Sequence, residues 1–490
     1  MKTCGLVLFV FMSLLACVPS GWGQAQITTA TVQGDVLDEK GGSVPDASIK
    51  ATNLDTNYVR AETANEDGHF VFLNLAPGRY TLTISKPGFA TILQENVNLT
   101  VGQVVTIPVT MKVSAVSQQI VVTDMPIVEV TKTESSSTLG EAAVATTPVL
   151  GRKFEDLLTL TPGVSISQGP DGDEININGQ RGIFNNISLD GGDYNNGFFG
   201  EQAGGQRAAI DITLEAVKEF QIIASGANAE YGRTAGGVVN VITKSGTNEF
   251  HGSAFEYFRT EALTAAASDG TPLDGFRRNQ FGGTFGGPIF KDKLFFFVAS
   301  EGIMEDLTRK NLSVPLGTPC GVSSPVFGPA GTITDAQISA SGDCQRQTLL
   351  NFLSTKFGEN DGLPIDRIIR NASVFGRVDY NLNAKNQFFA SYSFDRSNNP
   401  FQTFDVPTYG TTANGIEGAS HIQSANGNWF STLSNNQLND AHFTYSRETR
   451  PRAAVDPAAV PDTAIGFFPN FRFGLQLAPC RGQETMPWIR

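Results

Sequence analysis

The chain has 490 residues, which is too long for one ordinary domain and suggests about three. Lys and Arg number 35 against 48 Asp and Glu, a net charge of −13 that excludes a nucleic-acid binder working through a basic surface. With 51 Gly and 24 Pro, the composition excludes a helical bundle and favours a turn-rich β protein.

The N-terminus has the pattern of a secretory signal peptide. Lys2 precedes an apolar run at residues 5–18, and small residues follow that run. The run is too short to cross a membrane, because a spanning helix needs about 20 apolar residues. We therefore predict a cleaved signal at residues 1–25 and export of the chain. Lipid attachment at Cys17, within a Leu-Leu-Ala-Cys sequence, is the alternative.

Three cysteines follow the signal. Cys320 and Cys344 lie in a segment rich in Gly, Ser and Pro, and an oxidising compartment permits a disulfide between them. Their spacing matches no zinc-binding pattern, so no metal is expected there. Cys480 is then left unpaired.

The first folded unit is predicted to be a β-sandwich at residues 26–113. Short segments within it alternate apolar and polar residues with a period of two and are separated by turns containing Gly and Pro. This pattern is typical of strands in a sandwich. The segments are residues 31–36, 47–52, 69–72, 79–84 and 104–109.

Three runs in this unit resemble the carboxypeptidase regulatory-like domain. They are Glu66-Asp67-Gly68-His69-Phe70, Leu75-Ala76-Pro77-Gly78-Arg79-Tyr80 and Lys86-Pro87-Gly88-Phe89. The resemblance implies a small transthyretin-like sandwich without catalytic apparatus. It also implies that the Phe and Tyr side chains fill the sandwich, while the glycines supply backbone with positive φ.

A linker is predicted at residues 114–141. Its segment 119–124, Gln-Ile-Val-Val-Thr-Asp, is compatible with one more edge strand. It also resembles a TonB box, the stretch that pairs with an energising TonB-type protein by strand addition. The resemblance implies that Ile120, Val121, Val122 and Thr123 contact that periplasmic protein.

Residues 142–245 are predicted to form an α+β domain, with a short helix near residues 154–160. The most specific motif in the chain is Tyr231-Gly232, followed by Gly236-Gly237 and then by an alternating strand that ends at Thr243-Lys244. The ordered set of motifs resembles the plug domain of TonB-dependent outer-membrane receptors. It is most similar to the Oar-like branch, whose members carry a regulatory-like domain in front.

The resemblance to a plug implies that solute is bound at its apical loops. The candidate contacts are Arg181, Asp190, Asp193, Tyr194 and Phe198. A purely structural role inside the plug is the alternative interpretation of these side chains.

Residues 246–490 are predicted to form barrel strands. Val374, Gly376 and Val378 alternate with Arg377 and Asp379, so one face could contact lipid and the other a polar lumen. A soluble sandwich with one wet face has the same period. Alternation of short turns with long connections favours the barrel. The predicted strands are near residues 250–258, 279–287, 293–300, 373–380, 386–394, 420–433 and 438–447.

Seven strands are too few to enclose a plug, since barrels that enclose one have about 22 strands. The resemblance therefore leads us to expect that the chain is the front part of a longer receptor, with its barrel incomplete.

The predicted fold class is mainly β: a transthyretin-like β-sandwich, an α+β plug and the first strands of an antiparallel transmembrane β-barrel. The predicted function is TonB-energised uptake of a bulky solute through the outer membrane, with the first two domains on the periplasmic side. The expected partners are a TonB-type protein, outer-membrane lipid and an unknown solute or glycan, and no nucleic acid.

An exported carbohydrate-binding or adhesion protein, using the sandwich, is the alternative to a receptor. A hydrolase is disfavoured, because only His69, His251, His421 and His442 are present and no nucleophile elbow or zinc-binding His-Glu-x-x-His helix accompanies them. No catalytic residue, cofactor or metal is expected.

Overall fold

The computed structural model describes residues 27–114, 119–122, 134–149, 151–169, 172–197, 200, 212–229, 231–232, 234–266, 273–309, 355–356, 365–402, 415–434, 437–449 and four short C-terminal strands. The predicted signal at 1–25, Cys17, Thr123, Phe198, the Cys320–Cys344 pair and Cys480 lie outside these residues. In the part of the chain described, no helix is both long and apolar enough to cross a membrane.

The first unit, here called the sandwich, consists of two sheets. Its strands are β1 (Ala30–Asp38), β2 (Ser48–Asn53), β3 (Val59–Thr63), β4 (His69–Leu75), β5 (Gly78–Ser85), β6 (Thr91–Leu99), β7 (Val104–Thr106), β8 (Val109–Met111) and β9 (Gln119–Val122). One sheet has the order β4-β1-β7, with β8 also paired to β1, and the other has the order β3-β2-β5-β6-β9. The predicted sandwich is confirmed.

The core of the sandwich lies between the two sheets and is built from the alternating residues. Phe72, Tyr80 and Leu82 are at most 1% exposed. The Tyr80 hydroxyl donates to the Ala76 carbonyl at 2.9 Å, so the polar end of this buried ring is satisfied. The predicted role of the Phe and Tyr side chains as core is therefore confirmed.

The predicted strand at 104–109 is wrong in one respect, because the structure divides it into β7 and β8. Pro108 lies between them and has no N–H to donate to a neighbouring strand, so the ladder is interrupted there. Both pieces still pair with β1 in parallel, with Val105 opposite Val32 and Val109 opposite Val36.

The second unit, here called the middle domain, has a five-stranded sheet with the order β10-β15-β16-β13-β14 and a separate hairpin of β11 and β12. Its elements are β10 (Ser135–Leu139), α1 (Glu141–Thr146), α2 (Phe154–Leu158), β11 (Val164–Gly169), β12 (Gly172–Ile177), β13 (Asn186–Leu189), β14 (Gly192–Asp193), β15 (Val217–Ser225) and β16 (Val238–Thr243), with 3-10 turns at Gly182–Phe184 and Leu214–Ala216. Every residue of β16 is buried, because the sheet is covered on both faces.

The remaining strands form one antiparallel sheet, here called the large sheet. Its long strands are β17 (His251–Thr260), β18 (Arg277–Phe290), β19 (Leu294–Arg309), β20 (Ile365–Asn383), β21 (Asn386–Gln402), β22 (Gly415–Ser434) and β23 (Gln437–Thr449), with a 3-10 turn at Glu261–Leu263. The seven predicted strands are all present. Short pieces follow: β24 (Arg452–Ala454), β25 (Thr463–Ala464), β26 (Arg472–Phe473) and β27 (Trp488–Ile489).

The large sheet runs in the order β17-β18-β19-β20-β21-β22-β23-β27, with β24 also paired to β22. Among the described residues, β17 and β27 each pair on one side only, so the sheet is open. Within the long strands, neighbours in sequence are neighbours in the sheet, as expected for an up-and-down meander.

The two faces of the large sheet have the polarity opposite to that of a soluble protein. Side chains on the face turned to the middle domain are buried and many of them are polar, such as Ser373, Ser391, Ser393, Asn426 and Asn428, each at most 7% exposed. Buried apolar side chains of the same face also pack against the middle domain, namely Phe297, Phe375 and Ile422. Side chains on the outer face are apolar and exposed, such as Val374, Val378, Tyr392, Trp429 and Phe443, each at least 40% exposed. This arrangement is typical of a transmembrane barrel wall and rules out the soluble sandwich with one wet face.

We predict that Phe72→Ala in the full chain destabilises the sandwich by about 3–5 kcal/mol, because a buried aromatic ring leaves a cavity. The matched control is Leu73→Ala on the same strand, where the side chain is 40% exposed and the cost should stay below about 1 kcal/mol. Protease resistance of the sandwich during urea titration measures both. Equal sensitivity of the two variants would contradict the assigned core.

Candidate functional site at the seam between the middle domain and the large sheet

A tight turn of the middle domain contacts the large sheet. Asp190 and Gly191 connect β13 to β14, and both have positive φ, 51° and 81°. A two-residue hairpin with positive φ at both positions is the type that Asp-Gly sequences favour. The turn brings the Asp190 side chain into the seam, where the residue is only 1% exposed.

Arg377 on β20 faces this turn from the large sheet. Its Nη1 donates to Asp190 Oδ1 at 3.1 Å and to Thr243 Oγ1 at 3.0 Å. Its Nε and Nη2 bind the Asp379 carboxylate at 2.8–3.1 Å, and the guanidinium lies 4.1 Å from the centre of the Phe389 ring. One cation is thus shared by two carboxylates and an aromatic face.

The Asp190 carboxylate is further satisfied by neutral donors. Thr243 donates to it from its backbone N–H at 3.0 Å and from its hydroxyl at 2.8 Å, and Ser391 Oγ of β21 donates at 3.1 Å. Asn426 and Asn428 of β22 donate to the carbonyls of Leu189 and Asp190. The turn is therefore bound by three adjacent strands of the large sheet through polar contacts.

A second group of contacts lies on strands β17 to β19. Glu301 of β19, 2% exposed, accepts hydrogen bonds from Thr213 Oγ1 and Gln280 Nε2, both at 2.5 Å. Arg152 of the middle domain lies over the Tyr257 ring at 4.4 Å and binds Glu215 at 2.7 Å. These residues fix the other side of the middle domain against the same polar face.

The sandwich lies at the end of the large sheet where the turns are short. Tyr58 donates its hydroxyl to the Ala384 carbonyl at 3.0 Å, and Asn57 Nδ2 donates to Asp292 Oδ1 at 2.9 Å. Ala384 and Asp292 belong to the short turns β20–β21 and β18–β19. The sandwich also contacts the middle domain, because Lys218 Nζ donates to the Pro77 carbonyl at 2.7 Å. It therefore binds both other units.

Glu219 is the buried charge at the contact between sandwich and middle domain. Its carboxylate, 4% exposed, accepts the Val101 N–H at 2.7 Å. Burial raises the pKa of Glu219, and the Val101 N–H and neighbouring Lys218 only partly oppose this. Burial likewise lowers the pKa of Lys218.

The three units enclose a small cavity of about 60 Å³ beside the Asp190–Arg377 pair. Thr28, Thr29 and Pro77 of the sandwich line one side of it, and Arg377 and Asp379 line another. The cavity has room for a few waters and is too small for a bulky solute. The seam is therefore a binding surface between domains.

The candidate solute contacts predicted from the sequence differ in how exposed they are. Arg181 is exposed and lies 3.3 Å from Glu174, whereas Asp190 and Tyr194 are each 1% exposed and packed inside the chain. Asp193 is half-buried and accepts the Asn195 N–H at 3.0 Å. Phe198 lies outside the described residues, and the solute contacts stay predictions.

Sequence reasoning did not single out Arg377, Glu301 or Arg152. For Arg377 the available signal was a charged residue on the inward face of a predicted barrel strand, whereas Glu301 lies one residue past the predicted strand at 293–300. Arg377 alternates with outward-facing Val374, Gly376 and Val378, so its direction could be inferred, but its partner 187 residues earlier could not.

The segment that resembles a TonB box forms β9, an edge strand of the sandwich. Ile120 lies opposite Ile92 and Val122 opposite Gln94, in parallel with β6. Val122 packs against the sandwich core, and Val121 is 51% exposed. The alternative of one more edge strand is therefore confirmed, and contact with a TonB-type protein stays a prediction.

The chain matches three protein families. Residues 31–112 match the Carboxypeptidase regulatory-like domain, residues 129–239 the TonB-dependent Receptor Plug Domain, and residues 242–485 the Outer membrane beta barrel domain. The order of the matches along the chain is that of the sandwich, the middle domain and the large sheet.

A curated relative is the TonB-dependent transporter Oar of Myxococcus xanthus, 31% identical over 300 residues. The match covers 57% of this chain and 27% of that protein, so the chain spans only about a quarter of the relative's length.

Solved structures similar to the chain include a ferric enterobactin receptor of Pseudomonas aeruginosa, at 16% identity and a TM-score of 0.45, covering 66% of this chain and 43% of that one. The siderophore receptor PirA of Acinetobacter baumannii has 17% identity and a TM-score of 0.43, covering 70% and 42%. The outer membrane transporter YddB of Escherichia coli has 11% identity and a TM-score of 0.44, covering 66% and 40%.

We predict that Arg377→Met weakens the attachment of the middle domain to the large sheet by about 3–5 kcal/mol, because Asp190 is left buried without its cation. Removal of both partners in Arg377→Met/Asp190→Asn should cost less than removal of Arg377 alone. Thermal unfolding followed by near-ultraviolet circular dichroism in detergent measures the difference.

The control for this prediction is Arg277→Met on β18. Arg277 is 61% exposed and pairs with Asp306 at 3.5 Å, so its loss should cost below about 1 kcal/mol. If Arg377→Met were as mild as Arg277→Met, the seam would not depend on the buried pair.

We also predict a pH dependence of stability from Glu219. Because its pKa is higher in the folded chain than its ordinary value of 4.5, the folded state binds the proton more tightly. The contribution of Glu219 to stability is therefore full below pH 4.5 and is lost as the pH rises through the folded-state pKa. Glu219→Gln should remove this dependence in unfolding temperatures measured between mildly acidic and neutral pH.

An exposed carboxylate provides the comparison for Glu219. Glu249→Gln, at an exposed position in the connection before β17, should leave the pH profile of the parent chain unchanged. A parent profile that Glu219→Gln does not alter would show that other groups determine it.

Proposed function

The chain belongs to the TonB-dependent receptor family of the outer membrane, and from this premise we propose that it acts in TonB-driven uptake of a bulky solute. The middle domain is the plug of this family, and the large sheet supplies barrel strands. The family is not enzymatic, so the step is binding and translocation without covalent chemistry.

The polar seam is the observation that supports this proposal best. Asp190, Arg377 and Ser391 hold the middle domain through hydrogen bonds and one ion-pair cluster. A buried ion pair contributes little net stability relative to a well-packed apolar contact, since desolvation offsets the attraction. A seam of this kind suits a plug that stays in place at rest and shifts along the wall under force.

We place the sandwich and the short turns on the periplasmic side. Barrels of this kind have short periplasmic turns and long extracellular loops. The turn between β20 and β21 is short, whereas β19 ends at Arg309 and β20 begins only at Ile365. The contacts of Tyr58 and Asn57 with the short turns put the sandwich on the same side, where an energising protein would reach it.

The proposed contact with a TonB-type protein is the segment Ile120–Thr123. In β9, Ile120 to Val122 pair with β6 on one side, and β9 is last in its sheet, so its other edge is available among the described residues. An edge strand binds an added strand through its unpaired N–H and carbonyl groups. The exposed side chain of Val121 lies at the centre of this edge.

On the solute side, Arg181 is the exposed member of the predicted contacts. Its guanidinium has donors beyond the one used with Glu174, so it could bind an anionic or carbonyl oxygen of the cargo. The proposed cargo is a bulky solute. The chain spans 27% of the curated relative's length.

The test is binding of a purified C-terminal domain of a TonB-type protein to the full chain in detergent, measured by biolayer interferometry. Val121→Pro should weaken binding by about tenfold or more, because proline removes a backbone donor, whereas Val121→Thr keeps that donor and should bind within about threefold of the parent. Absence of binding by the parent, or equal binding by the two variants, would refute the proposed contact.

A further inference from the structure

The outer face of the large sheet contains a groove that the uptake function does not use. The groove has a volume of about 420 Å³ and lies across strands β20 to β23. Its lining is apolar or aromatic for the most part. The lining residues on the outer face are Val378, Tyr380, Phe388, Ala390, Gly427, Trp429, Ala441 and Phe443, and Phe389, Asn428 and His442 lie between them on the same strands.

Small residues on adjacent strands form the floor. Ala390 of β21 lies opposite Gly427 of β22, and Ala441 of β23 lies opposite Trp429. Because strand side chains alternate between the two faces, Ala390, Gly427 and Ala441 all belong to the outer face. The absence of large side chains at these positions opens the groove between flanking rings.

Aromatic residues form a wall at the end nearer the short turns. The rings of Tyr380 and Phe388 stack at 6.5 Å, and those of Phe388 and Trp429 at 5.5 Å. Trp429 Nε1 donates to Asn386 Oδ1 at 3.1 Å, so its one polar atom is satisfied while its ring faces outward. Phe443, 50% exposed, flanks the floor opposite Gly427.

The groove lies at the periplasmic boundary of the membrane. Tyr380 and Phe388 are within four residues of the short turn between β20 and β21, and aromatic rings collect at the interfaces of barrel walls. Val378 and Gly427 lie two residues further along their strands, about 7 Å towards the hydrocarbon. The groove thus runs from the headgroup level into the acyl region.

The chemistry of the lining residues and the position of the groove in the membrane indicate which molecule the groove would bind. None of the residues that line the groove is a carboxylate, Lys or Arg, and its volume lies within the range of about 300–1,000 Å³ for small-molecule pockets. The groove is continuous with the lipid-facing surface, and Lys385 in the adjoining turn places a cation at its headgroup end. We propose that the groove binds one acyl chain of a glycerophospholipid from the periplasmic leaflet.

The inference rests on the membrane location of the large sheet and on the periplasmic placement of the short turns proposed above, and not on TonB or on any cargo. It differs from general lipid coating because the groove would bind a single acyl chain, whereas lipids around a smooth wall exchange with one another. Occupancy should therefore saturate with lipid.

The experiment uses Trp429 as its own reporter. The chain has three tryptophans, so Trp22→Phe and Trp488→Phe leave Trp429 as the single tryptophan of the full chain, which is excited selectively at wavelengths where tyrosine does not absorb. Phosphatidylcholine with brominated acyl chains is titrated into the chain in detergent, and quenching is compared with that by unbrominated lipid. We expect saturation at about one lipid per chain, followed by weak linear quenching at higher lipid concentration.

Gly427→Leu should remove the saturable phase. A Cβ at this position would lie 4.0 Å from the Phe443 Cβ, so a larger side chain fits without a backbone clash and occupies the groove. Gly376→Leu is the matched control, since Gly376 is on the outer face of β20, outside the groove, and its Cβ would have no atom within 4 Å. This control should saturate as the parent does.

Ala390→Leu is a second variant that fills the floor, and protease resistance verifies that each variant is folded. Loss of the saturable phase in folded Gly427→Leu or Ala390→Leu, with retention in Gly376→Leu, supports the proposal. Linear quenching of the parent from the first addition, or a saturable phase unchanged in both folded floor variants, would overturn it.

Discussion

The polar inner face of the large sheet is the constraint on which the other contacts depend. A strand that borders lipid on one side must turn its apolar residues outward, so polar residues remain for the side that faces the middle domain. A domain placed against such a wall has to match it with hydrogen bonds. Asp190 meets Arg377 and Ser391 in this way, and Glu301 meets Thr213. The middle domain therefore meets the wall mainly through polar contacts, and apolar contacts are added where Ile422 joins its core and where Ala216 packs against Phe297 and Phe375.

The sandwich adds a mechanical element to this arrangement. It binds the short turns through Asn57 and Tyr58 and the middle domain through the Pro77 carbonyl. Its edge strand β9 is the segment proposed to be pulled. Force applied there would act first on the sandwich, and only through it and the linker on the middle domain. The buried Glu219 lies at that contact, so we expect a protonation change there to alter how firmly the two units are joined.

Much of the fold could be predicted from the sequence, because each strand is indicated by the alternation of apolar and polar residues within it. The alternation of Val378 with Arg377 and Asp379 indicates both a strand and the direction of each side chain, and the structure confirms it. The division of the strand at Pro108 follows from a missing N–H and was available in the sequence, yet was missed. Strands β3 and β6 were not predicted either, although β6 has nine residues, because the regulatory-domain motifs lie in the segments around them.

The site could be predicted much less well, for a physical reason. Arg377 and Asp190 meet only because two independently folded units are placed in one register, and no local pattern records that register. The same holds for the lipid-facing groove. Ala390, Gly427 and Ala441 are unremarkable small residues in sequence, and they form a floor only when antiparallel pairing puts Ala390 opposite Gly427 and Ala441 opposite Trp429. Strand pairing thus creates a distinct surface on each face of one sheet: a polar seam inward and an apolar groove outward.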